Sequence, residues 1–284
     1  MLKKFNEYIT ESIIPSTILN NRGSSEISPS KFEQLLNLKC KSYINNSDNT
    51  KIYRGQRDMG DFVYFDPMKG EKRRSIESEN IHINLIDNLP SWQKYPNYSR
   101  SVIGMAGKEV SVSGYGEVVY EVIPFDNSDV AICPRDNIWS SFGSDTWGSD
   151  IYLMDKLFKN LFDLEDDTEI TERNLQQLKN IPTTIDSIIT DDFLKSGIKE
   201  FIERDSSSLH GDAIESFYKP CKNNGNWKDK KFEELKGIDI YNYLNDCLFN
   251  PEVRGFSLVN YDNNFKVDIE KQIWTNGPVV MRKV

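Results

Sequence analysis

The sequence predicts an α+β fold: a mixed, mostly antiparallel sheet with helices and a helical insertion. Three observations predict it. Short β-branched runs, Glu117-Val-Val-Tyr-Glu-Val-Ile123 and Asp129-Val-Ala-Ile-Cys133, are each cut off by a proline. From about 151 to 204 the leucines Leu153, Leu157, Leu161 and Leu164 recur at helical spacing. Strand-like segments then return in Gln272-Ile-Trp-Thr275 and Pro278 to Met281.

A chain of 284 residues suffices for one large or two small domains with a buried core. Hydrophobic residues make up 38% and aromatic residues 12%, enough apolar area to disfavour wholesale disorder. The net charge of -9 opposes general attraction to a nucleic-acid backbone, while leaving room for a local basic patch that serves one phosphate ligand. Cys40, Cys133, Cys221 and Cys247 are far apart, with no C-x-x-C pair. That argues against a zinc ribbon or a dense disulfide framework and for reduced thiols of a cytosolic protein. No apolar run is long enough to cross a membrane, and no apolar stretch follows Lys3-Lys4 as in a secretory signal.

Residues 1–27 read as an N-terminal leader helix and linker. Leu2, Phe5, Ile9 and Ile13 have helical spacing, Pro15 stops the helix, and Asn20 to Ser25 is turn-rich. A single α+β domain follows over 28–284, with its helical block at about 151–250. Ser28 is an N-cap with Pro29 at the first helical position, ahead of Phe32, Leu35, Leu36 and Leu38. The polar cluster Asn45 to Asn49 ends that helix. Lys51-Ile-Tyr-Arg-Gly55 is a short strand. Gln56 to Glu79 is charged and irregular. Within it Arg73-Arg74-Ser75 marks a candidate anion-contacting loop, although most charge clusters are solvated faces.

Asn80 to Asn88 suits a strand or a short helix. Leu89 to Pro96 is a rigid aromatic loop held by two prolines. Its Trp92 and Tyr95 either stack on a flat ligand ring or plug the end of a core. It leads into a strand, Tyr95 to Gly104, which carries Ser99-Arg100-Ser101. Gly104 to Ser113 reads as a loop or short helix. The strands 117–123 and 129–133 flank the turn Phe125 to Ser128 as a hairpin, with Glu117 and Glu121 on one face of the first. Arg135 to Gly148 gathers Trp139, Phe142 and Trp147, which purely solvated loops seldom do. Beyond the acidic break at Asp163 to Thr168, helices are expected at Thr171 to Lys179, Asp191 to Glu203 and Lys230 to Leu248. Gly255 to Asn260 reads as a strand.

Only two histidines are present, His82 and His210, and the sequence holds no H-E-x-x-H, Cys/His cluster or calcium loop. A metal enzyme is therefore not expected. A nucleophile elbow, a P-loop and G-x-G-x-x-G are missing too, and Gly114-Tyr-Gly116 is too short to count. What remains is arginine, serine and carboxylate: Arg54, Ser99 and Ser101, and the late Glu270. Cleaving the nicotinamide–ribose bond of NAD needs little acid–base machinery, because its leaving group is already cationic. It needs an arginine at the phosphates, a serine to order the site and a carboxylate for an oxocarbenium-like centre.

That set resembles the Arg-Ser-Glu class of mono-ADP-ribosyltransferases. Tyr53-Arg54-Gly55 is similar to the first motif of the family. Ser99-Arg100-Ser101 is similar to the second, with Arg100 where threonine is commoner. Glu270-Lys271-Gln272 stands where the third belongs, in reversed order, so either Glu270 acts or Gln272 holds the catalytic position. The resemblance implies NAD as substrate and Arg54, Ser101 and Glu270 as catalytic residues. It implies Arg54, Ser99, Ser101, Trp92, Tyr95 and Tyr115 as its binding residues.

The opening, Met1-Leu-Lys-Lys-Phe-Asn-Glu-Tyr-Ile-Thr-Glu-Ser12, resembles that of virion and internal proteins of large contractile-tailed bacteriophages. In those proteins a leader ending in hydrophobic-x-Glu is clipped by the prohead protease, and Ile9-Thr10-Glu11 matches that tripeptide. This implies a phage protein that works in the host cytoplasm on a host acceptor protein, packaged in the virion. Two rival expectations stand beside it. One is a non-enzymatic virion or host-factor-binding protein, suggested by the leader, the acidic charge and the loop 135–148. The other is a nucleotide or sugar hydrolase using two of the many carboxylates.

Overall fold

Ser28 begins the first helix, α1 (Pro29–Lys39): its hydroxyl accepts the Lys31 N–H, and Pro29 fills a first-turn position where no N–H is needed. The computed structural model that shows this describes residues 23–73, 81–107, 116–142, 159, 162, 171–180 and 239–284. The leader, Tyr115, the acidic break, the helix at 191–203 and His210 lie outside the described residues. The chain separates into two compact units. The first is Met1–Arg73, Tyr95–Ile132 and Leu258–Val284; the second is Arg74–Lys94 and Cys133–Ser257.

In the first unit α1 stops at Cys40 instead of running on to Asn45. A new helix, α2 (Lys41–Asn45), starts there because the Asp126 carboxylate accepts its first N–H groups, Lys41 at 2.8 Å and Ser42 at 2.9 Å. The strands are β1 (Ser24–Glu26), β2 (Ile52–Gln56), β3 (Phe62–Phe65), β4 (Val102–Ala106), β5 (Val118–Pro124), β6 (Asp129–Ile132), β7 (Ser257–Asn260), β8 (Gln272–Thr275) and β9 (Val279–Lys283). They form one nine-stranded antiparallel sheet in the order β1-β3-β9-β5-β2-β4-β8-β6-β7. The fold is thus the α+β class that the sequence predicts.

Successive residues of each strand face opposite sides. Ile52, Ala106, Val122 and Met281 point into one core with Tyr261 and Phe265. Tyr64, Ile123 and Val280 point into the other, under Phe32, Leu35 and Leu36 of α1.

Four expectations need correction. β1 lies in what reads as a turn-rich linker, and β3 in what reads as an irregular charged stretch; each is too short to show periodicity. β5 and β6 do not make a hairpin. The turn between them forms, with Asn127 at φ 62° and the Ser128 N–H on Phe125 O, but both edges of β5 are occupied by β9 and β2. The Ser99-Arg100-Ser101 segment is a turn, and its strand starts only at Val102.

The second unit holds α3 (Ile81–Asn88), a 3-10 turn at Pro90–Trp92, α4 (Ile138–Phe142), α5 (Glu172–Asn180), α6 (Ile240–Tyr243), a π-helical turn at Leu244–Leu248 and α7 (Pro251–Arg254). Residues 81–88 are therefore helical, not a strand. Trp92 is 2% exposed, packs on Phe142 and Phe256, and donates its indole N–H to Phe249 O at 2.6 Å. It plugs this core, and the stacking role on a ligand is withdrawn for it. His82 is 1% exposed and lies 5.8 Å from the Phe249 ring. Burial lowers its pKa to about 3, so the ring is neutral near pH 7.

Candidate functional site

β2 pairs with β5 over five positions, from Ile52↔Val122 to Gln56↔Val118, but with β4 only at Ile52↔Ala106 and Tyr53↔Met105. Beyond Tyr53 the two strands part. Arg54 bridges the parting: its Nη1 donates to Ile103 O at 2.7 Å and its Nε to Gln56 Oε1 at 3.0 Å. Where the strands are still close, residue 104 must lack a side chain. A Cβ on Gly104 would come within 2.6 Å of Ile52 Cγ2 and 2.9 Å of Tyr53 O. Gly116 similarly lets the chain close onto the Gln56 backbone, which a Cβ would meet at 2.3 Å.

The turn before β4 is held from several sides. Asn97 Oδ1 accepts both the Ser99 hydroxyl at 3.0 Å and the Arg100 N–H at 3.1 Å, a side-chain-closed turn of the kind asparagine favours. The Ser101 hydroxyl donates to Tyr98 O at 2.8 Å. Ser99 and Ser101 are 3% and 6% exposed, so their hydroxyls shape the turn. Trp274, on β8 and opposite Ile103 of β4, donates its indole N–H to Pro96 O at 2.9 Å and meets the Tyr98 ring edge-on at 5.3 Å. Arg73 lies over the other part of this assembly. Its guanidinium sits 4.7 Å from the Tyr98 ring centroid, its Nη2 donates to Tyr98 O at 2.8 Å, and its backbone N–H donates to Ser99 O at 2.7 Å.

Glu270 is exposed and sits in the turn leading to β8. Its backbone is left-handed, φ 69°, which is uncommon for a non-glycine residue. Its N–H donates to Ala106 O at 2.7 Å, at the end of β4 away from Ser101. The two ends of β4 are about 14 Å apart at ordinary strand rise. Glu270 and Ser101 are thus not brought together as the sequence reading expects. Gln272 is the first residue of β8 and shares a face with Met105 and Tyr53, opposite to the face on which Arg54 starts. Tyr95 is half-buried in the first unit, Trp92 lies in the core of the second, and Tyr115 is outside the described residues.

A second polar group lies on the Tyr53 face. Glu121 is buried and accepts the Tyr43 hydroxyl at 3.0 Å and Arg282 Nε at 2.7 Å, while Lys51 Nζ stands 3.7 Å away. Burial and the neighbouring Glu121 charge push the Tyr43 phenol up to about 12. Every oxygen of this carboxylate has a protein partner, which suits a structural clamp on the β5–β9 pair. Among the described residues no group of three or more His, Cys, Asp or Glu is arranged to hold a metal ion.

The sequence reading singled out Arg54 and the serine turn but missed Trp274 and Tyr98, which order that turn. Their signal was unreadable locally, because 176 positions separate them in the chain (274 less 98). Comparison with protein-family models, with curated proteins and with solved structures gives no match.

Proposed function

We propose that the chain is an NAD-dependent mono-ADP-ribosyltransferase of a bacteriophage, acting on host proteins. The single observation that carries this reading is the sheet order. The segments bearing Arg54, Ser99-Arg100-Ser101 and Glu270-Lys271-Gln272 are far apart in sequence, yet they belong to or directly precede three consecutive neighbours, β2, β4 and β8. Arg54 stands where β2 parts from β4, bonded to Ile103 O.

In the proposed reaction the nicotinamide–ribose bond breaks, its electron pair leaves with nicotinamide, and a nucleophile of the acceptor attacks the ribose carbon and loses its proton to solvent. Arg54 lies on the phosphate side. Tyr95, half-buried and two residues ahead of Asn97, is the candidate to stack on nicotinamide. Glu270 is the carboxylate of the third segment, and its left-handed backbone is the kind of local strain that functional sites retain. Ser99 and Ser101 act by ordering the turn. Incubation with labelled NAD and host lysate is the test. Label transferred to host protein, and lost in Glu270→Gln, is expected; neither transfer nor NAD hydrolysis would end this reading.

A second reading is favoured by a different observation: both serine hydroxyls bond within the turn, and Glu270 stands at the far end of β4. That geometry suits a non-enzymatic phage protein that binds a host factor. A stoichiometric partner captured equally by wild type and Arg54→Ala, with no NAD consumption, would select it.

A further inference from the structure

Arg100 stands out in the turn before β4. It is half-buried, its Nε has no solvent and no hydrogen-bond partner, and among the described residues its guanidinium makes no ion pair. An unmet buried N–H costs stability that a ligand oxygen would restore. The chain carries 44 Asp and Glu against 35 Lys and Arg, so carboxylates are plentiful, yet among the described residues none is placed on this cation. A second guanidinium is fixed to the same few residues. Arg73 bonds Tyr98 O, stacks over the Tyr98 ring and gives its backbone N–H to Ser99 O. The turn thus carries one arginine, Arg100, and holds a second, Arg73, through Tyr98 and Ser99. That turn is itself held by Asn97, by Ser101 and by the Trp274 indole. The Arg73 guanidinium, already fixed in place, loses little freedom when an anion arrives, which favours binding. The Arg54 guanidinium, in contrast, already donates to Ile103 O and Gln56 Oε1.

We propose that this turn is an anion site for the pyrophosphate of a nucleotide, with Arg100 as the direct ligand and Arg73 as the second charge. The identification of the pyrophosphate as that of a dinucleotide rests on the transferase reading; the anion site does not. Arg100 meets two phosphoryl oxygens through the planar fork that lysine lacks.

The test is calorimetric titration of the full chain with inorganic pyrophosphate and, separately, with NAD. Wild type is compared with Arg100→Gln and Arg100→Lys, and thermal unfolding of each is recorded. Wild type is expected to bind both ligands. Arg100→Gln is expected to weaken both by roughly tenfold or more, as for loss of one charge-assisted hydrogen bond, and Arg100→Lys by less. Because Arg100→Gln removes an unmet donor, its melting temperature should stay level or rise. Pyrophosphate bound through Arg100 without NAD binding would uphold the anion site and end the NAD reading. NAD bound equally by wild type and Arg100→Gln would overturn the anion site and leave the NAD reading standing. No binding of either ligand would overturn both. A melting temperature lowered in both variants would make Arg100 a structural residue and overturn the proposal.

Discussion

Trp92 and Trp274 are both buried, and both give the indole N–H to a backbone carbonyl, of Phe249 and of Pro96 respectively. Around Trp92 stand Phe142 and Phe256, so its ring fills a core. Around Trp274 stand Tyr98 and, over Tyr98, Arg73, so its ring braces a polar turn. Trp92, flanked by Pro90 and Pro96 and close to the Ser-Arg-Ser motif, is the one the sequence offers as a ligand-stacking residue. Trp274, in an ordinary strand, attracts no such reading. The difference teaches that an aromatic residue takes its role from the partners across the fold and not from its neighbours in the chain.

The largest expected effect tests the core side of this contrast. Trp92→Ala should cost about 3–5 kcal/mol of stability in denaturant unfolding, as for other buried large aromatics. A loss under about 1 kcal/mol would contradict the core role.

The same core holds His82, whose pKa burial depresses from 6.5 to about 3. The folded value lies below the unfolded one, so its contribution is full above pH 6.5 and is lost as pH falls toward 3. Between pH 6.5 and 4 the loss is on the order of 3 kcal/mol, at 1.36 kcal/mol per pH unit. Melting temperatures of His82→Phe measured across that range should fall less than those of wild type.

Trp274→Phe sharpens the comparison, because it keeps one ring but removes, with the rest of the fused indole, the N–H to Pro96 O. A stability loss of about 1 kcal/mol is expected from that hydrogen bond. Pyrophosphate binding, followed by calorimetry, should weaken as well. Trp92→Phe should lose stability with pyrophosphate affinity unchanged, and equal effects of the two variants on affinity would erase the distinction drawn between them.

The smallest effect is a gain. Glu270→Gly removes a side chain from a left-handed position, φ 69°, and should raise stability by about 1 kcal/mol while abolishing transfer. Unchanged transfer in a more stable Glu270→Gly protein would assign the strain to the turn alone.

Much of the fold was legible because its signals are local. Ser28 and Pro29 start α1 through contacts within a few residues, and Gln272 to Thr275 form β8 where the apolar pattern puts it. The failures share a cause. The Ser99-Arg100-Ser101 turn has strand-like composition, but Asn97 closes it through bonds to Ser99 and Arg100 and delays β4 to Val102. The expected hairpin failed because β9, some 155 positions further on (279 less 124), occupies the edge of β5 that β6 needed. At the candidate site the residue types were readable, whereas the burial of Ser99 and Ser101 and the remoteness of Glu270 were not.

By itself the sequence determined the α+β class, the cap of α1 and the segments that carry arginine, serine and carboxylate, since these depend on neighbours along the chain. Only the tertiary structure decided that β2, β4 and β8 lie side by side, that β2 leaves β4 after Tyr53, and that Arg73 and Arg100 share a turn. Those arrangements depend on which distant strands bury their apolar faces together, and pairing across long loops leaves no periodic mark in the sequence.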